Sequence, residues 1–401
     1  MDGTIIIIII CCLLLFAYIF DISAAKTRIP SVILLLLMGV LAKYLALHFK
    51  VEIPNLSSTL PILGSVGLVL IVLEGSLDLE LTSSKKKMIF KSVIVSILPM
   101  FALAFLLTYV FQLYGNDFRS SLANAIPFCI ISSAIAIPSV RNFSQKYREF
   151  IIYESSLSDI VGILFFNFII LNKVIDFQAI GSFFLQLIII FFISLIAILV
   201  LSLLLKNIKH HVKFLPIIIL IVLIYDFSKL FHLPGLIFIL LFGLFLGNLS
   251  KLKEVKYFEK FDLDKLNKEV GKFKEMSSEF TFLIRAVFFI IFGFLIEIKD
   301  VLNTETLIWS GAIVASIFIF RGFQLFIVKL PNFPLLFVAP RGLITILLFL
   351  ALDDSLKIDL VNNSLVIQVI LITSFILMIG NLFTKKPKNE IVKEDDLEFN
   401  I

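Results

Sequence analysis

The sequence predicts an all-α polytopic membrane protein with about thirteen transmembrane helices. Apolar residues make up 60% of the 401-residue chain and charged residues only 16%, and the mean hydropathy is +1.07. Runs of about 20 apolar residues, long enough to cross a bilayer as helices, recur along the sequence. Lys and Arg gather in alternate connections between these runs. A water-soluble fold is excluded, because no soluble domain of this size hides so much apolar surface.

The predicted spans follow one another along nearly the whole chain. They lie at 4–21, 30–48, 59–81, 88–114, 120–140, 149–172, 180–205, 214–232, 235–249, 279–298, 306–330, 332–352 and 363–384. The first run has no basic segment before it and no small-residue cleavage site after it. We therefore expect a retained first helix rather than a signal peptide.

The positive charges predict which side of the membrane each connection faces. Lys and Arg are richest near residues 26–28, 85–87, 141–148, 206–213, 251–275 and 385–386. Because cytoplasmic loops carry the excess of Lys and Arg, the N-terminus is predicted outside and the C-terminus in the cytoplasm. The net charge of +5 follows from these loops and does not indicate nucleic-acid binding.

The connection 251–275 carries eight Lys and six Asp or Glu, interleaved with Phe, Leu, Val and Tyr. This pattern favours an amphipathic helix that lies at the cytoplasmic interface. A regulatory arm is the alternative.

The span 149–172 contains two carboxylates, Glu154 and Asp159. Ser155 and Asp159 are four residues apart and share one helix face, while Glu154 and Ser158 share the adjacent face. A charged side chain at the bilayer centre costs roughly 2.5–3.5 kcal/mol, so it usually faces a partner, a cavity or an ion. We therefore expect the function to lie in this span.

Asp159 and Ser155 offer oxygen ligands of the kind that a small hard cation takes. A proton binds the same carboxylate, so proton and cation would compete for one group. A carboxylate that binds either a proton or a cation can exchange one for the other. The structural alternative is that Asp159 is neutral or paired and only ties helices together.

Further charged residues inside predicted spans are Glu74, Arg285, Arg321 and Arg341. Arg321 lies in the middle of its span and is the predicted partner of Glu154, since removing either member would leave an uncompensated buried charge. For Arg285 and Arg341 we expect long cationic side chains that can extend to the interface. We expect structural roles for both.

Helix-breaking residues mark two spans. The stretch Ser132–Pro138, which includes Ser133, interrupts the fifth span, and Ala339–Gly342 interrupts the twelfth. Interrupted spans at corresponding places in two halves point to the midplane site of a transporter. The offset of seven spans is odd and inverts the topology, which predicts inverted repeats whose two discontinuous helices cross in the core. A simple kink in each span is the alternative.

Five segments together resemble the signatures of the monovalent cation/proton antiporters of the sodium/proton exchanger type. They are LEGSLDL at 73–79, ESSLSD at 154–159, GLFLGN at 243–248, LIRAVFFIIFG at 283–293 and PRGL at 340–343. The similarity spans roughly residues 60–350.

The resemblance implies a homodimer in which each protomer has a scaffold and a moving core. The implied boundaries are 1–81 and 214–300 for the scaffold, 82–172 and 301–384 for the core, 173–213 for a linker helix and 385–401 for a cytoplasmic tail.

The resemblance also implies roles for individual residues. The family's ion- or proton-binding aspartate corresponds to Asp159, its serine one turn earlier to Ser155, and its third-helix glutamate to Glu74. The family usually has Asn where this chain has Ser158, which keeps an oxygen ligand. It usually carries Thr-Asp-Pro where this chain has Ala-Ile-Ala at 134–136.

The family's buried ion pair corresponds to Glu154 and Arg321. The residues that the sequence itself predicts at the two helix breaks of the core are Ser132, Ser133 and Pro138, and Arg341 and Gly342.

We therefore expect a multi-pass protein of the cell inner membrane that exchanges protons for Na⁺, or less favourably K⁺ or Li⁺, by alternating access. It is expected to act within membrane lipids, without a resident cofactor, a nucleic-acid partner or enzymatic activity. The alternative is an antiporter fold that has lost transport and serves as a membrane scaffold or sensor.

Overall fold

A computed structural model describes residues 3–49, 56, 58–79, 81–82, 85–208, 210, 212–249 and 263–384. Within these ranges the protein is helical and contains no strand. This agrees with the predicted class, because a chain in lipid must satisfy its backbone hydrogen bonds within each segment. The residues 250–262 and the predicted tail 385–401 lie outside the described part.

The helices are numbered here in chain order. They are α1 (Gly3–Thr27), α2 (Ser31–His48), α3 (Thr59–Asp78), α4 (Lys86–Leu113), α5 (Phe118–Ala125), α6 (Ser133–Ser139), α7 (Gln145–Leu171), α8 (Phe177–Asn207), α9 (Phe214–Leu230), α10 (Gly235–Gly247), α11 (Leu263–Leu295), α12 (Ile298–Val301), α13 (Thr304–Ile327), α14 (Asn332–Leu335), α15 (Leu343–Leu350) and α16 (Asn363–Phe383). Short 3₁₀ turns lie at Ile126–Phe128 and Asp354–Leu356.

Ten helical segments of the described chain are long and apolar enough to cross a membrane. The predicted spans at 214–232, 235–249 and 332–352 correspond to α9 with 17 residues, α10 with 13 residues and the pair α14 and α15. The count of thirteen membrane crossings therefore stays a prediction, as does the orientation of the termini.

Four helices begin at a side chain that caps their free backbone N–H groups. An Asp or Asn oxygen accepts a hydrogen bond from a first-turn amide at Asp117 of α5, Asp176 of α8, Asn303 of α13 and Asn362 of α16. Such caps typically contribute about 1 kcal/mol each and mark where a helix starts.

The two interrupted spans are broken helices. Between the 3₁₀ turn that ends at Phe128 and the start of α6 at Ser133, the backbone is not helical. The predicted interruption at Ser132–Pro138 is therefore misplaced by several residues, because Pro138 lies near the end of α6, where its missing N–H removes only one helical hydrogen bond. The second interruption separates α14 from α15 and includes Ala339–Gly342, as predicted.

The predicted interfacial helix at 251–275 needs correction. Residues 263–275 are helical, but they form the first turns of α11, which continues without a break to Leu295. Leu266, Val270 and Phe273 are buried, and the Phe273 ring lies 6.2 Å from the Phe214 ring and 6.4 Å from the Phe242 ring. This apolar stripe packs on protein instead of lying on lipid.

The described chain divides into two compact units. The first consists of Met1–Ser65, Lys87–Phe166 and Leu283–Ile401, and the second of Val66–Lys86 and Asn167–Phe282, each counted over its described residues. Both broken helices belong to the first unit.

Within the first unit, α2 and α11 pack backbone against backbone. A Cβ atom added to Gly39 would lie 2.2 Å from the Ile290 carbonyl oxygen, and one added to Gly293 would lie 2.3 Å from the Leu36 carbonyl oxygen. Each helix thus presents a glycine to the backbone of the other, a contact that small residues permit in membranes.

Gly293→Ala should destabilise the protein by about 1–3 kcal/mol, because the overpacking outweighs the gain in helix propensity of up to about 1 kcal/mol. The thermal midpoint in detergent measures the loss. The matched control is Gly311→Ala in α13, since a Cβ atom there meets nothing within 4 Å. Equal midpoints for both variants would contradict the close packing of α2 and α11.

Candidate functional site

The two helix breaks cross at a point where their backbones are hydrogen-bonded. The backbone N–H of Ser132 donates to the Pro340 carbonyl oxygen at 2.9 Å. A Cβ atom on Gly342 would lie 2.5 Å from the Ile135 side chain and 2.9 Å from the Ser132 hydroxyl. Gly342 is therefore required by this close approach. The crossing joins the break before α6 to the break before α15.

Asp159 of α7 lies at this crossing and is fully buried. Its Oδ2 accepts a short hydrogen bond from the Ser133 hydroxyl and a second one from the Ser133 backbone N–H at 3.3 Å. Its Oδ1 has no hydrogen-bond partner among the described residues. The carboxylate thus has one oxygen held at the start of α6 and one buried oxygen available to a further ligand.

The two predicted serine ligands on α7 are already engaged in local hydrogen bonds. Ser155 Oγ donates to the Ile151 carbonyl oxygen at 2.7 Å, one turn earlier in its own helix. This bond uses the proton of Ser155 and leaves its oxygen able to act as a ligand. Ser158 Oγ accepts from the backbone N–H of Ile131 at 3.0 Å and so satisfies a donor of the unwound chain.

Arg341 supplies the positive charge at the crossing. It is only 2% exposed, so its side chain does not extend to the membrane interface, contrary to the prediction. Its guanidinium donates to the carbonyl oxygen of Phe128, at the end of the 3₁₀ turn before the first break, and to that of Ala339, within the second break. Cations favour such carbonyl ends of helical segments. The backbone N–H of Arg341 donates to Thr373 Oγ1 at 3.1 Å.

The structure brings Glu154 and Arg321 together in the first unit. Both side chains are buried, and two guanidinium nitrogens contact the two Glu154 oxygens, one of them at 2.8 Å. Gln324 Nε2 donates to Glu154 Oε1 at 2.7 Å. Arg321 Nε also donates to the Leu335 carbonyl oxygen at 3.2 Å. The forked, buried geometry balances both charges.

The remaining predicted residues lie apart from this cluster in different ways. Glu74 belongs to the second unit, where it accepts a hydrogen bond from Ser278 Oγ at 2.6 Å. Arg285 is buried in the first unit with Nη2 4.0 Å from Asp21 Oδ1. The apolar positions 134–136 are buried in α6, and the Ile135 side chain packs against Gly342.

Sequence reasoning missed two members of the cluster. The sequence predicts Ser133 only as part of a helix break, whereas its hydroxyl and backbone N–H both contact Asp159. Gln324 follows Arg321 by three residues and so shares its helix face, which is the signal that could have identified it. A small cavity beside the cluster is lined by Ser158, Arg321, Gln324 and Arg341 among other residues.

The comparison with known families is decisive for the class of protein. The family described as sodium/hydrogen exchanger, transmembrane, matches residues 11–384. The chain belongs to this family. The match covers nearly the whole chain and confirms the resemblance seen in the five sequence segments.

Solved structures support the same fold. The sodium proton antiporter MjNhaP1 from Methanocaldococcus jannaschii, determined at pH 8, superimposes with a TM-score of 0.66 at 17% identity over 95% of this chain and 99% of that one. An electron-microscopy map of the same antiporter gives a TM-score of 0.64 at 18% identity, with 95% of each chain covered. At this identity the likeness establishes the fold alone. No curated protein sequence matches the chain.

Breaking the Glu154–Arg321 pair should be costly, because either single neutral substitution leaves one buried charge alone. Glu154→Gln and Arg321→Met should each lower the free energy of unfolding by about 3–5 kcal/mol. The double variant should lose clearly less than the sum, as contacting residues couple by about 0.5–3 kcal/mol. Thermal and denaturant unfolding in detergent measure the four proteins, and strictly additive losses would show that the two residues do not interact.

Proposed function

We propose that this protein is a secondary active antiporter that exchanges protons for a monovalent cation, Na⁺ in the first place, across the cell inner membrane. Membership of the exchanger family and the MjNhaP1-like fold support the general class. The geometry around Asp159 supports the chemistry.

One observation carries the proposal: two carboxylates on the same helix have opposite surroundings. Glu154 has a permanent countercharge in Arg321 and a further donor in Gln324. Asp159 is equally buried, but the groups that contact it are the hydroxyl and amide of Ser133, which are uncharged. A buried carboxylate without a fixed cation must be neutralised by a bound proton or a bound ion. Asp159 is therefore the exchangeable group and Glu154 the fixed one.

Exchange follows because a proton and a cation exclude each other at Asp159. A proton on Asp159 removes the charge that holds a cation, and a bound cation displaces the proton, so the two ligands occupy the group in turn. With a single exchangeable carboxylate, one cation for one proton is the simplest stoichiometry.

We assign the cation ligands to Asp159 Oδ1 and to oxygens near the crossing. Ser132 Oγ is buried and has no hydrogen-bond partner among the described residues, and Ser155 retains its acceptor capacity. Oxygen ligands of this kind suit a hard cation such as Na⁺. Ser158 is proposed as a further oxygen ligand, and backbone carbonyls and water complete the shell. Glu74 is proposed as a separate ion-binding carboxylate of the second unit.

Transport then requires alternating access of Asp159 to the two sides. We propose that core segments 82–172 and 301–384 move against scaffold segments 1–81 and 214–300, with 173–213 as the linker, in a homodimer within the lipid bilayer. The hydrogen-bonded crossing and the buried pair of Glu154 and Arg321 would keep the core rigid during this movement.

The alternative is an antiporter fold that no longer transports. It is favoured by the three apolar side chains at 134–136, where the family usually carries Thr-Asp-Pro. Ser133 compensates in part, since it supplies the hydroxyl and amide that contact Asp159.

The test is proton flux in proteoliposomes that enclose a pH-sensitive dye, challenged in turn with Na⁺, K⁺, Li⁺ and choline. The wild type should move protons in response to Na⁺ and not to choline. Asp159→Asn should abolish this flux while the protein still inserts, because the amide cannot exchange a charge. Glu305→Gln, an exposed carboxylate at the start of α13, is the control and should transport as the wild type does.

Two outcomes would contradict the assignment. Wild-type protein that gives no flux with any of the three cations would favour the transport-deficient alternative. Undiminished flux in Asp159→Asn would place the exchange group elsewhere.

A further inference from the structure

We propose that a lysine cluster, located where the start of α4 meets the end of α13, binds the headgroup of an anionic phospholipid whose acyl chains lie on the apolar side chains beside it. The cluster consists of Lys87, Lys91, Lys146 and Lys329, which all belong to the first unit. It shares no residue with the crossing of the broken helices. The inference therefore does not depend on the proposed exchange of ions.

Lys91 joins the first turns of α4 to the end of α13. Its Nζ donates to the carbonyl oxygen of Val328 at 3.0 Å. Val328 is the residue at which α13 ends, and the carbonyl groups of a last helical turn have no partner within the helix. Lys329 is the next residue along the chain, so this bond also brings Lys329 to the start of α4.

The cluster concentrates positive charge at one place. The ammonium groups of Lys87, Lys146 and Lys329 each repel that of Lys91. Lys87 and Lys329 are exposed, and Lys146 lies in the first turn of α7. An anion bound among these lysines would relieve their mutual repulsion. Basic clusters between membrane helices bind the phosphate of lipid headgroups in this way.

The cluster lies where the sequence predicts the cytoplasmic surface of the membrane. Lys87 and Lys146 belong to two different connections, 85–87 and 141–148, that are both predicted to face the cytoplasm. The cytoplasmic leaflet carries a negative surface potential from its anionic lipids. The predicted orientation therefore places the lysines at the leaflet that supplies the ligand.

Exposed apolar side chains continue from the cluster along both helices. On α4 they include Phe90 and Leu98, and on α13 they include Phe323 and Phe326. Within a bilayer, side chains of this kind contact lipid acyl chains, which are equally apolar. Lys87 lies one turn before Phe90 in α4. Positive charge thus lies next to apolar surface, which matches the phosphate and acyl chains of a phospholipid.

The experiment is native mass spectrometry of the purified protein titrated with phosphatidylglycerol, which gives the apparent Kd of the first bound lipid. Lys87→Gln with Lys329→Gln should raise this Kd about 25-fold, because each lysine at a membrane surface contributes about fivefold. Lys87→Arg with Lys329→Arg should keep the wild-type Kd, since both charges remain. Phosphatidylcholine with the same acyl chains should bind the wild type more weakly, as should glycerol phosphate, which lacks the chains.

The matched control is Lys299→Gln with Lys357→Gln, which removes two exposed positive charges of the same unit outside the cluster. An unchanged Kd in the variant of Lys87 and Lys329, or an equal rise in the control, would overturn the proposal. Glycerol phosphate that binds as tightly as phosphatidylglycerol would indicate a site for a free anion and would also overturn it. The same spectra report the oligomeric state. A dimer that the variant disrupts without a change in lipid binding would show that a second copy of the chain covers the cluster instead of a lipid.

Discussion

At the crossing of the two broken helices, buried charged side chains must satisfy the backbone groups that the breaks leave without helical partners. A break in an apolar interior leaves backbone groups without partners, at a cost of several kcal/mol for each group. Arg341 donates to the carbonyl oxygens of Phe128, at the end of the 3₁₀ turn, and of Ala339, within the second break, and Asp159 accepts from the backbone N–H of Ser133 at the start of α6. The cation thus faces backbone carbonyl groups and the carboxylate faces the N–H groups at a helix start, as the helix dipole favours. Asp159 satisfies the Ser133 amide through one oxygen, and its other oxygen has no hydrogen-bond partner in the part of the chain that the structure describes.

In the proposed function, helix α7 carries both a structural charge, Glu154, and an exchangeable one, Asp159. Glu154 and Asp159 are five residues apart and face different surroundings, so each meets its own set of partners. The pair of Glu154 and Arg321, with Gln324 beside it, is complete without any further ion. In the proposed function, Asp159 is neutralised by a bound proton or a bound cation. A rigid, fully compensated pair on the same helix is suited to hold the exchangeable group in position during a conformational change.

The sequence predicted those features that follow from burying a charge in an apolar span. Glu154 and Arg321 each lie mid-span and each needs an opposite charge, so their pairing could be inferred without a structure. The contact of Ser133 with Asp159 could not, because it joins residues 26 positions apart through the crossing of two segments. The prediction of an interfacial side chain for Arg341 is wrong, because the break in its span surrounds the guanidinium with buried carbonyl groups. The sequence predicts two separate segments in the region of the long helix α11. The reason is that its many charged residues make its continuous apolar stripe difficult to recognise.

If Asp159 binds a proton and a cation in turn, then cation binding must release a proton. Purified protein in weakly buffered detergent solution is mixed with Na⁺, and a pH dye records the protons released while the bound Na⁺ is measured in parallel. The wild type should release one proton for each Na⁺ bound, and Asp159→Asn should release none. Na⁺ binding by the wild type without proton release, or equal release by Asp159→Asn, would contradict it.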